Sequence, residues 1–280
     1  MYERIVEEIV KLIRDDEYFI DFASYPLRGT VAKGNILLKS EWAVLSGTEI
    51  VEKVLERFDV KVKFFHRDGE CAERGVVATL EGDAYNVLVC ERTILNVLSF
   101  MSSIATKTRI LVERLRQKGV HTKIAATRKT IPFTAMLQKI AVIHGGGDTH
   151  RLNLSDMVMI KDNHIALYGC VSEAVRKVKE MASFSKKIEI EVEDEDTAFE
   201  AANAGVDVLM LDNMPVEHAC ELAGRLKRAF PHIIIEYSGG VDPNNIEKYA
   251  CEYFDVISVG RLTSEVSYVD FSLEVSRSEP

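Results

Sequence analysis

The chain has 280 residues, 47% of them hydrophobic and 28% charged, which suits one large or two smaller globular domains. A net charge of -9 argues against nucleic acid as the main partner. The acidic N-terminus is unlike a signal peptide, and no uninterrupted apolar run approaches the roughly 18 residues that a membrane span needs. We therefore expect a cytoplasmic protein. There is no CxxC pair, so we expect reduced cysteines and neither a disulfide framework nor a zinc site among Cys71, Cys90, Cys170, Cys220 and Cys251.

The first 100 residues are predicted to form a separate α+β domain. Apolar residues at helical spacing predict an amphipathic helix over 3–14, and the run SGTEIVEKVLERF predicts a second helix with Ser46 or Thr48 as its N-cap. Alternating apolar residues predict strands, the last two joined through an Asp68-Gly69 turn, at 31–38, 42–44, 61–65 and 74–80. No catalytic cluster stands out in this part of the chain.

A long helix is predicted over 87–118, with a break inside it and Gly119 just beyond its end. It is apolar on more than one face, which predicts burial between domains or subunits. Arg92 is a charge among apolar neighbours, and its chemistry alone favours a structural or snorkelling arginine.

From residue 123 onward, strands and helices alternate, which predicts parallel βαβ units. Helical patterns separate the strands at 134–144, 171–182, 195–204, 215–229 and 243–250. The predicted strands are short and apolar, and they lie at about 123–126, 157–160, 187–192, 207–211, 233–236 and 255–259.

Each of these strands has polar, charged or glycine residues at its C-terminal end. In strand order they are Thr127-Arg128-Lys129, Lys161, Glu191, Asp212, Ser238-Gly239-Gly240 and Gly260-Arg261. An α/β barrel builds its active site from the carboxyl ends of its strands, whereas an open doubly wound sheet usually uses one switch point. The pattern therefore favours a barrel with fewer strands than the usual eight.

The window 123–164 is basic although the whole chain is acidic, and it contains the run Gly145-Gly146-Gly147. A solvated surface with a glycine turn is the simpler interpretation, but cations placed directly after strands favour a site for a small anion. The donors suited to carboxylates and phosphates are Arg128, Lys129, His150, Arg151 and Lys161. We expect His144 and His164 to be structural.

Two carboxylates follow neighbouring strands and are suited to ribose hydroxyls or to Mg²⁺. Among Glu189, Glu191 and Glu193, which share one face of a strand, Glu191 is the expected site residue. Asp212 could instead cap the following helix, but a site role is preferred. The run Ser238-Gly239-Gly240 precedes a predicted helix, so its amide groups could hold a phosphate together with Gly260.

Several runs resemble the quinolinate phosphoribosyltransferases, also called nicotinate-nucleotide pyrophosphorylases (carboxylating). They occur in that family's order from about residue 30 onward, and they are CERTILN, TRKTIP, GGG-DTHR, IKDNHI, IEIEVE, LMLDN, YSGGV and VGRLT. The resemblance implies an N-terminal α+β sandwich domain and an incomplete, six-stranded α/β barrel. We place these domains at 1–100 and 101–264, and expect a tail, 265–280, that packs back on the first domain.

The resemblance also implies a reaction. The phosphoribosyl group of 5-phosphoribosyl pyrophosphate (PRPP) moves to the ring nitrogen of quinolinate, and pyrophosphate and carbon dioxide leave. The product is nicotinate mononucleotide for NAD biosynthesis. Mg²⁺ would enter with PRPP, and a homodimer at least would supply Arg92 to the partner's site.

The roles implied by the resemblance fall on the strand ends. Quinolinate and neighbouring phosphate charge would contact Arg92, Arg128, Lys129, His150, Arg151 and Lys161. Glu191 and Asp212 would bind ribose hydroxyls and magnesium. The 5-phosphate would lie on Ser238, Gly239, Gly240 and Gly260, while Thr127 and Arg261 complete the substrate-binding set. The catalytic residues would be Lys129, Lys161, Glu191 and Asp212.

The chain departs from the usual family pattern at four places. Ala126 replaces an aspartate before TRKT, Phe133 replaces a glycine after proline, and Thr149 replaces an asparagine before His-Arg. Near the N-terminus, DDEYFIDFASYPL has no Gly-Asp pair. Two alternatives therefore stay open: a phosphoribosyltransferase that acts on nicotinate or another ring acid without decarboxylation, and a non-catalytic barrel that binds a nucleotide or phosphate.

Overall fold

The computed structural model describes residues 2–277, so Met1 and the last residues of the predicted tail, 278–280, lie outside the described residues. The chain divides into two compact units. Among the described residues, the first unit comprises 2–107, 136–146 and 266–277, and the second comprises 108–135 and 147–265. The helix predicted at 134–144 thus groups with the first unit, whereas the sequence assigned it to the second domain.

The elements are numbered in chain order. The strands are β1 (Val31–Val44), β2 (Lys61–Phe64), β3 (Cys71–Asp83), β4 (Lys123–Ala125), β5 (Val158–Ile160), β6 (Ile188–Val192), β7 (Val208–Asp212), β8 (Ile234–Ser238), β9 (Val256–Ser258) and β10 (Phe271–Arg277). The α-helices are α1 (Tyr2–Glu17), α2 (Thr48–Glu56), α3 (Ala84–Gln117), α4 (Ala135–His144), α5 (Asp162–Tyr168), α6 (Val171–Met181), α7 (Glu195–Asn203), α8 (Val216–Ala229) and α9 (Arg261–Ser264). Short 3₁₀ helices lie at Tyr25–Leu27 and Ile246–Tyr249.

The first unit contains an antiparallel sheet with the strand order β10-β1-β3-β2. Along the first half of β1, buried and exposed residues alternate, so one face of the strand carries core residues such as Ile36 and Leu38. α1 and α2 also bury one apolar stripe each, which includes Ile9 of α1 and Val54 of α2. Helices and sheet therefore share the core of this unit.

Three details within residues 2–117 differ from the prediction. The strands predicted at 31–38 and 42–44 are one strand, β1, with a change of register between Leu38 and Trp42. α3 continues without the predicted break. The N-cap of α2 is Gly47, not Ser46 or Thr48, and the first amide N–H groups of the helix, those of Thr48 and Glu49, donate to the carboxylate of Asp68. A cap from 20 residues away has no local sequence signature.

By length and composition, α3 is the one helix within residues 2–277 that could cross a membrane. Core helices of soluble proteins pass the same test, and 67% of the apolar window of α3 is buried inside the protein. The criterion is therefore weak support for a membrane span.

In the second unit, the six predicted strands form one parallel sheet with the order β4-β9-β8-β7-β6-β5. Successive strands are neighbours from β5 to β9, and β4 returns to the far edge beside β9. β4 and β5 are the two edge strands of this sheet, and a closed barrel would require them to pair with each other. At this opening, Ala125 and Asp148 form an isolated parallel bridge that continues the pairing of β4. The predicted incomplete, six-stranded α/β barrel is confirmed.

The prediction that all cysteines are reduced is wrong for one pair. Cys220 of α8 and Cys251, before β9, form a disulfide with their Cα atoms 6.0 Å apart. The pair is 31 residues apart in sequence, and only the packing of the βαβ units brings it together. Cys71, Cys90 and Cys170 are free.

Phe133 tests one of the departures from the family pattern. Its φ is +68°, in the left-handed region that favours glycine, and its side chain is fully exposed. We expect Phe133→Gly to raise the free energy of unfolding by about 1 kcal/mol in urea denaturation, because it relieves backbone strain without loss of burial. Phe184→Gly is the matched control, since Phe184 is equally exposed at 104% without a positive φ. The control should lose about 0.5 kcal/mol, and equal changes in both variants would contradict the account.

Candidate active site

The carboxyl ends of the six parallel strands surround a cavity of about 590 Å³. Every predicted site residue of the second unit lines it, namely Thr127, Arg128, Lys129, His150, Arg151, Lys161, Glu191, Asp212, Ser238, Gly239, Gly240, Gly260 and Arg261. Arg92 belongs to the first unit, where it is exposed on α3. Strand ends scattered over 135 residues of sequence thus contribute to one cavity.

Arg128 and Arg151 are two of the cations that line this cavity. Arg128 is exposed, whereas Arg151 is buried at 8% exposure and donates from Nη1 to the carbonyl oxygen of Met157 at 3.2 Å. Burial lowers the pKa of Arg151, the charge of Arg128 lowers it further, and Glu189 acts in the opposite direction. An anion shared by both guanidinium groups would relieve their mutual repulsion.

Lys161 and Glu191 form an ion pair across the ends of β5 and β6. Their side chains are 43% and 20% exposed, so both remain accessible from the cavity. A ligand that takes up the Lys161 ammonium therefore also meets a carboxylate, which suits a molecule with both anionic and hydroxyl groups.

The two histidines expected to be structural each have a hydrogen-bond partner. His164 Nδ1 accepts the backbone N–H of Lys161 at 3.0 Å, at the start of α5. His144 lies 2.8 Å from the hydroxyl of Ser46, and burial lowers the pKa of its imidazole although Asp68 opposes this. These contacts agree with a structural role, which stays a prediction.

Asp212 is not a helix cap, because the N-cap of α8 is Pro215. Its carboxylate instead accepts from the amide side chain of Asn213 at 2.6 Å at the cavity. Gly239 lies directly against the same asparagine: a Cβ at Gly239 would be 2.6 Å from Asn213 Oδ1, and its φ is +123°. Asp212, Asn213 and Gly239 thus pack closely together where they line the cavity.

The loop after β8 differs from the prediction. The helix predicted at 243–250 is only the 3₁₀ helix Ile246–Tyr249, so no α-helix N-terminus follows the glycines. Side chains hold the loop instead, with Asn245 Oδ1 accepting the amide N–H of Asp242 at 2.8 Å and Asn245 Nδ2 donating to the carbonyl of Gly240 at 2.7 Å. A phosphate here would meet loop amide groups without the added field of a helix.

Below the cavity, His150 contacts two buried glutamates. Its Nε2 lies 3.0 Å from Glu236 Oε2 and 3.5 Å from Glu189 Oε2, and the hydroxyl of Ser258 donates to the other oxygen of Glu236. Glu189 and Glu236 are 0% and 2% exposed. Burial raises the pKa of Glu189, although His150 opposes this.

The contact between His150 Nδ1 and the amide N–H of Arg151 decides which ring nitrogen of His150 carries a proton. Burial alone would lower its pKa, but contacts with Glu189 and Glu236 outweigh burial and raise it to about 10. However, the amide N–H of Arg151 points at Nδ1 at 2.7 Å, and an imidazolium has no lone pair there to accept it. We therefore place the ring proton on Nε2, where it donates to Glu236.

Two carboxylate groupings are suited to a metal ion. Glu191 and Asp212 at the cavity offer the oxygen ligands that Mg²⁺ prefers. His150, Glu189 and Glu236 have ligand atoms within 4.8 Å of one another, but there the Nε2 proton already bonds to Glu236. The first grouping is the one open to an incoming ligand.

Glu236 and Ser258 were not among the predicted site residues, and Glu191 was preferred to Glu189. A signal existed for Glu236, because it is a charge within the apolar run IIIEYS and shares the strand face of Ser238. Glu193 is exposed beyond the end of β6. Glu191 therefore lines the cavity, as predicted. Glu189, on the same face of β6, is buried more deeply.

An open six-stranded α/β barrel with cations, carboxylates and glycine loops at its strand ends defines a barrel protein with a site for a small polyanion. Two family models match nearly the whole chain: the N-terminal domain of quinolinate phosphoribosyl transferase over residues 20–102 and the C-terminal domain over residues 104–274. The chain belongs to the quinolinate phosphoribosyltransferase family, as its sequence motifs predicted.

Individual relatives agree with this assignment. A probable nicotinate-nucleotide pyrophosphorylase (carboxylating) of Methanothermobacter thermautotrophicus is 43% identical over 97% of this chain and 99% of its own length. The human nicotinate-nucleotide pyrophosphorylase (carboxylating) is 35% identical over 84% of this chain and 80% of its own. A crystal structure of NadC from Streptococcus pyogenes superposes with a TM-score of 0.92 at 34% identity, covering 100% of this chain and 99% of that one.

The packing of Gly239 can be tested without any ligand. We expect Gly239→Ala to lower the free energy of unfolding by about 2 to 3 kcal/mol, because a Cβ would clash with Asn213 as well as strain the backbone. Gly240→Ala is the matched comparison, since its φ is +64° but the nearest atom to a Cβ is 3.7 Å away. That variant should lose only about 1 kcal/mol. Equal losses in urea denaturation would show that the contact with Asn213 is not the constraint.

Proposed function

We propose that this chain transfers the phosphoribosyl group of PRPP to the ring nitrogen of quinolinate, with release of pyrophosphate and carbon dioxide, to give nicotinate mononucleotide for NAD biosynthesis. The observation that carries the proposal is that the predicted cations, carboxylates and glycines of the second unit line one cavity in a member of this family. Of the three arginines that line it, Arg261 pairs with Asp242, and Arg128 and Arg151 suit a ligand with two carboxylates. The comparisons do not favour the alternative activities.

The cavity residues divide into three groups by chemistry. Arg128 and Arg151, with Lys129, would bind the ring carboxylates, and His150 belongs to the same side of the site. Ser238, Gly239, Gly240 and Gly260 would bind the 5-phosphate through loop amides, with Thr127 and Arg261 beside them. Glu191 and Asp212 lie on neighbouring strands, where they would meet the ribose hydroxyls, with Lys161 paired to Glu191.

In this arrangement the protein contributes mostly position and charge. Lys129 and Lys161 would neutralise the departing pyrophosphate, while the carboxylates of Glu191 and Asp212 would stabilise positive charge that develops at C1 of the ribose. The arginines would hold the ring so that its nitrogen faces that carbon. These roles require the arginines, the carboxylates and the glycine loops to act on the same bound substrates. All of them line the one cavity at the strand ends.

Mg²⁺ is part of the proposal. The carboxylates of Glu191 and Asp212 fit a hard divalent cation, and they are the residues that would hold it. When bound with PRPP, the ion would neutralise charge on the pyrophosphate.

We also propose a homodimer, a cytoplasmic location, and no nucleic-acid or membrane partner. The exposed Arg92 supports the dimer, because the family resemblance assigns the matching arginine to the partner's site. The Cys220–Cys251 disulfide does not decide the compartment, since intracellular proteins of hyperthermophiles also contain disulfides.

The reaction is tested with quinolinate labelled with ¹³C in its 2-carboxylate. With PRPP and Mg²⁺, we expect labelled carbon dioxide and unlabelled nicotinate mononucleotide in equal amounts, followed by NMR and chromatography. Nicotinate should be used with a kcat/KM at least about 100-fold lower, because one carboxylate contact is missing and its arginine is left unpaired. Efficient use of nicotinate would favour the non-decarboxylating alternative, and PRPP binding without any product would favour the non-catalytic one.

The trans role of Arg92 is tested by complementation. Arg92→Ala and Lys161→Ala should each be inactive alone, whereas co-expressed subunits should recover about one quarter of wild-type activity. Half of the dimers are then mixed, and each mixed dimer has one intact site. Arg74→Ala, at another exposed arginine of the first unit, should stay fully active. A mixture that stays inactive, or a monomeric mass in solution, would contradict the proposal.

A further inference from the structure

A buried polar network crosses the interior of the second unit and ends at the backbone of Arg151. Ser258 on β9 donates its hydroxyl to Glu236 on β8. The other carboxylate oxygen of Glu236 accepts from His150 Nε2 at 3.0 Å, and His150 Nδ1 accepts the amide N–H of Arg151 at 2.7 Å. Two interior strands are thereby connected to the segment that carries a cation of the cavity.

The imidazole of His150 is fully engaged by this network. Both ring nitrogens have protein partners, and the backbone N–H of His150 donates to Asp148 Oδ1 at 2.8 Å. The φ of His150 is +54°, a conformation that non-glycine residues adopt at a cost. Such a conformation persists where surrounding contacts hold it, and Glu236 supplies the contact from the opposite side of the barrel.

The other end of this turn is fixed to β4. Asp148 donates its backbone N–H to the carbonyl of Ile124 at 2.7 Å, and its own carbonyl accepts the N–H of Ala126 at 2.9 Å. Arg151 lies three residues further on, where this pairing has ended. The segment that carries Arg151 therefore lies between the pairing at β4 on one side and the His150–Glu236 contact on the other.

Glu189 adds a second carboxylate to the same histidine. It is fully buried, lies 3.5 Å from His150 Nε2, and has no hydrogen-bond partner for either carboxylate oxygen among residues 2–277. A buried carboxyl group without hydrogen bonds costs stability, so a role in stabilising the fold does not account for it. Its position beneath Arg151 and beside His150 points to the site instead.

We propose that Glu236, assisted by Glu189, is a positioning residue: through the His150 imidazole it holds Arg151 so that the guanidinium meets a ligand carboxylate at the cavity. The inference rests on the proposed function, in which that ligand is quinolinate. Glu236 and Glu189 themselves do not contact the substrate in this arrangement. Their effect should therefore appear in quinolinate binding and depend on Arg151.

A double-mutant cycle tests this dependence. Glu236→Leu should raise the KM for quinolinate, and its Kd measured calorimetrically without PRPP or Mg²⁺, about tenfold, because a displaced arginine no longer fits the carboxylate. The KM for PRPP should change less than about twofold. In an Arg151→Lys background, Glu236→Leu should have less than a twofold further effect on quinolinate binding, since the residue through which it acts is already altered.

Conservative variants and a spectroscopic signal separate positioning from folding. Glu236→Gln keeps an acceptor for His150 Nε2 and should recover most of the quinolinate affinity, whereas Glu193→Gln, an exposed glutamate after β6, should resemble wild type. In ¹⁵N-labelled protein, the hydrogen-bonded Nε2 proton of His150 should give a downfield signal that disappears in Glu236→Leu. A purely structural role would lower thermal stability in all backgrounds without a selective change in quinolinate binding.

Specific outcomes overturn the proposal. Additive effects of Glu236→Leu and Arg151→Lys would do so, as would an unchanged quinolinate Kd in a folded Glu236→Leu variant. If a chelator reproduced the loss of quinolinate binding in wild type and added Zn²⁺ restored it, the cluster would be a metal site instead. Failure of the proposed function is distinguishable, because wild type would then show no quinolinate turnover while the His150 signal and its loss in Glu236→Leu persisted.

Discussion

The parallel alignment of β4 to β9 is the constraint on which the rest of the second unit depends. Because all six strands point the same way, every residue that follows a strand reaches the same rim, however distant it is in sequence. Thr127 after β4 and Gly260 after β9 thus line one cavity although 133 residues separate them. The apolar strands form the parallel sheet, and the polar residues at their carboxyl ends line the cavity.

Charge is distributed in two layers along this barrel. The rim combines cations with the carboxylates Glu191 and Asp212, which suits an incoming molecule that carries phosphate, hydroxyl and carboxylate groups. The interior below it contains His150, Glu189 and Glu236, and the burial of such ionisable groups costs free energy. In this account the deeper layer maintains the geometry of Arg151, and the upper layer binds the substrates.

The strand ends were predictable because apolar runs and the residues that follow them are local features of the sequence. Features that depend on distant partners were not. Asp68 caps α2 from outside the helix, Cys220 finds Cys251 through packing, and the loop after β8 is held by Asn245 rather than by a helix. His150 was predicted as a site residue, but its bond to Glu236 spans 86 residues and needs the barrel to be known.

A crystal structure with quinolinate bound tests the central claim most directly. The account predicts the two ring carboxylates on the guanidinium groups of Arg128 and Arg151, with His150 still hydrogen-bonded to Glu236 and the glycine loop at Gly239 left for a phosphate. Quinolinate bound away from these arginines, or His150 turned from Glu236 to contact the ligand itself, would contradict it.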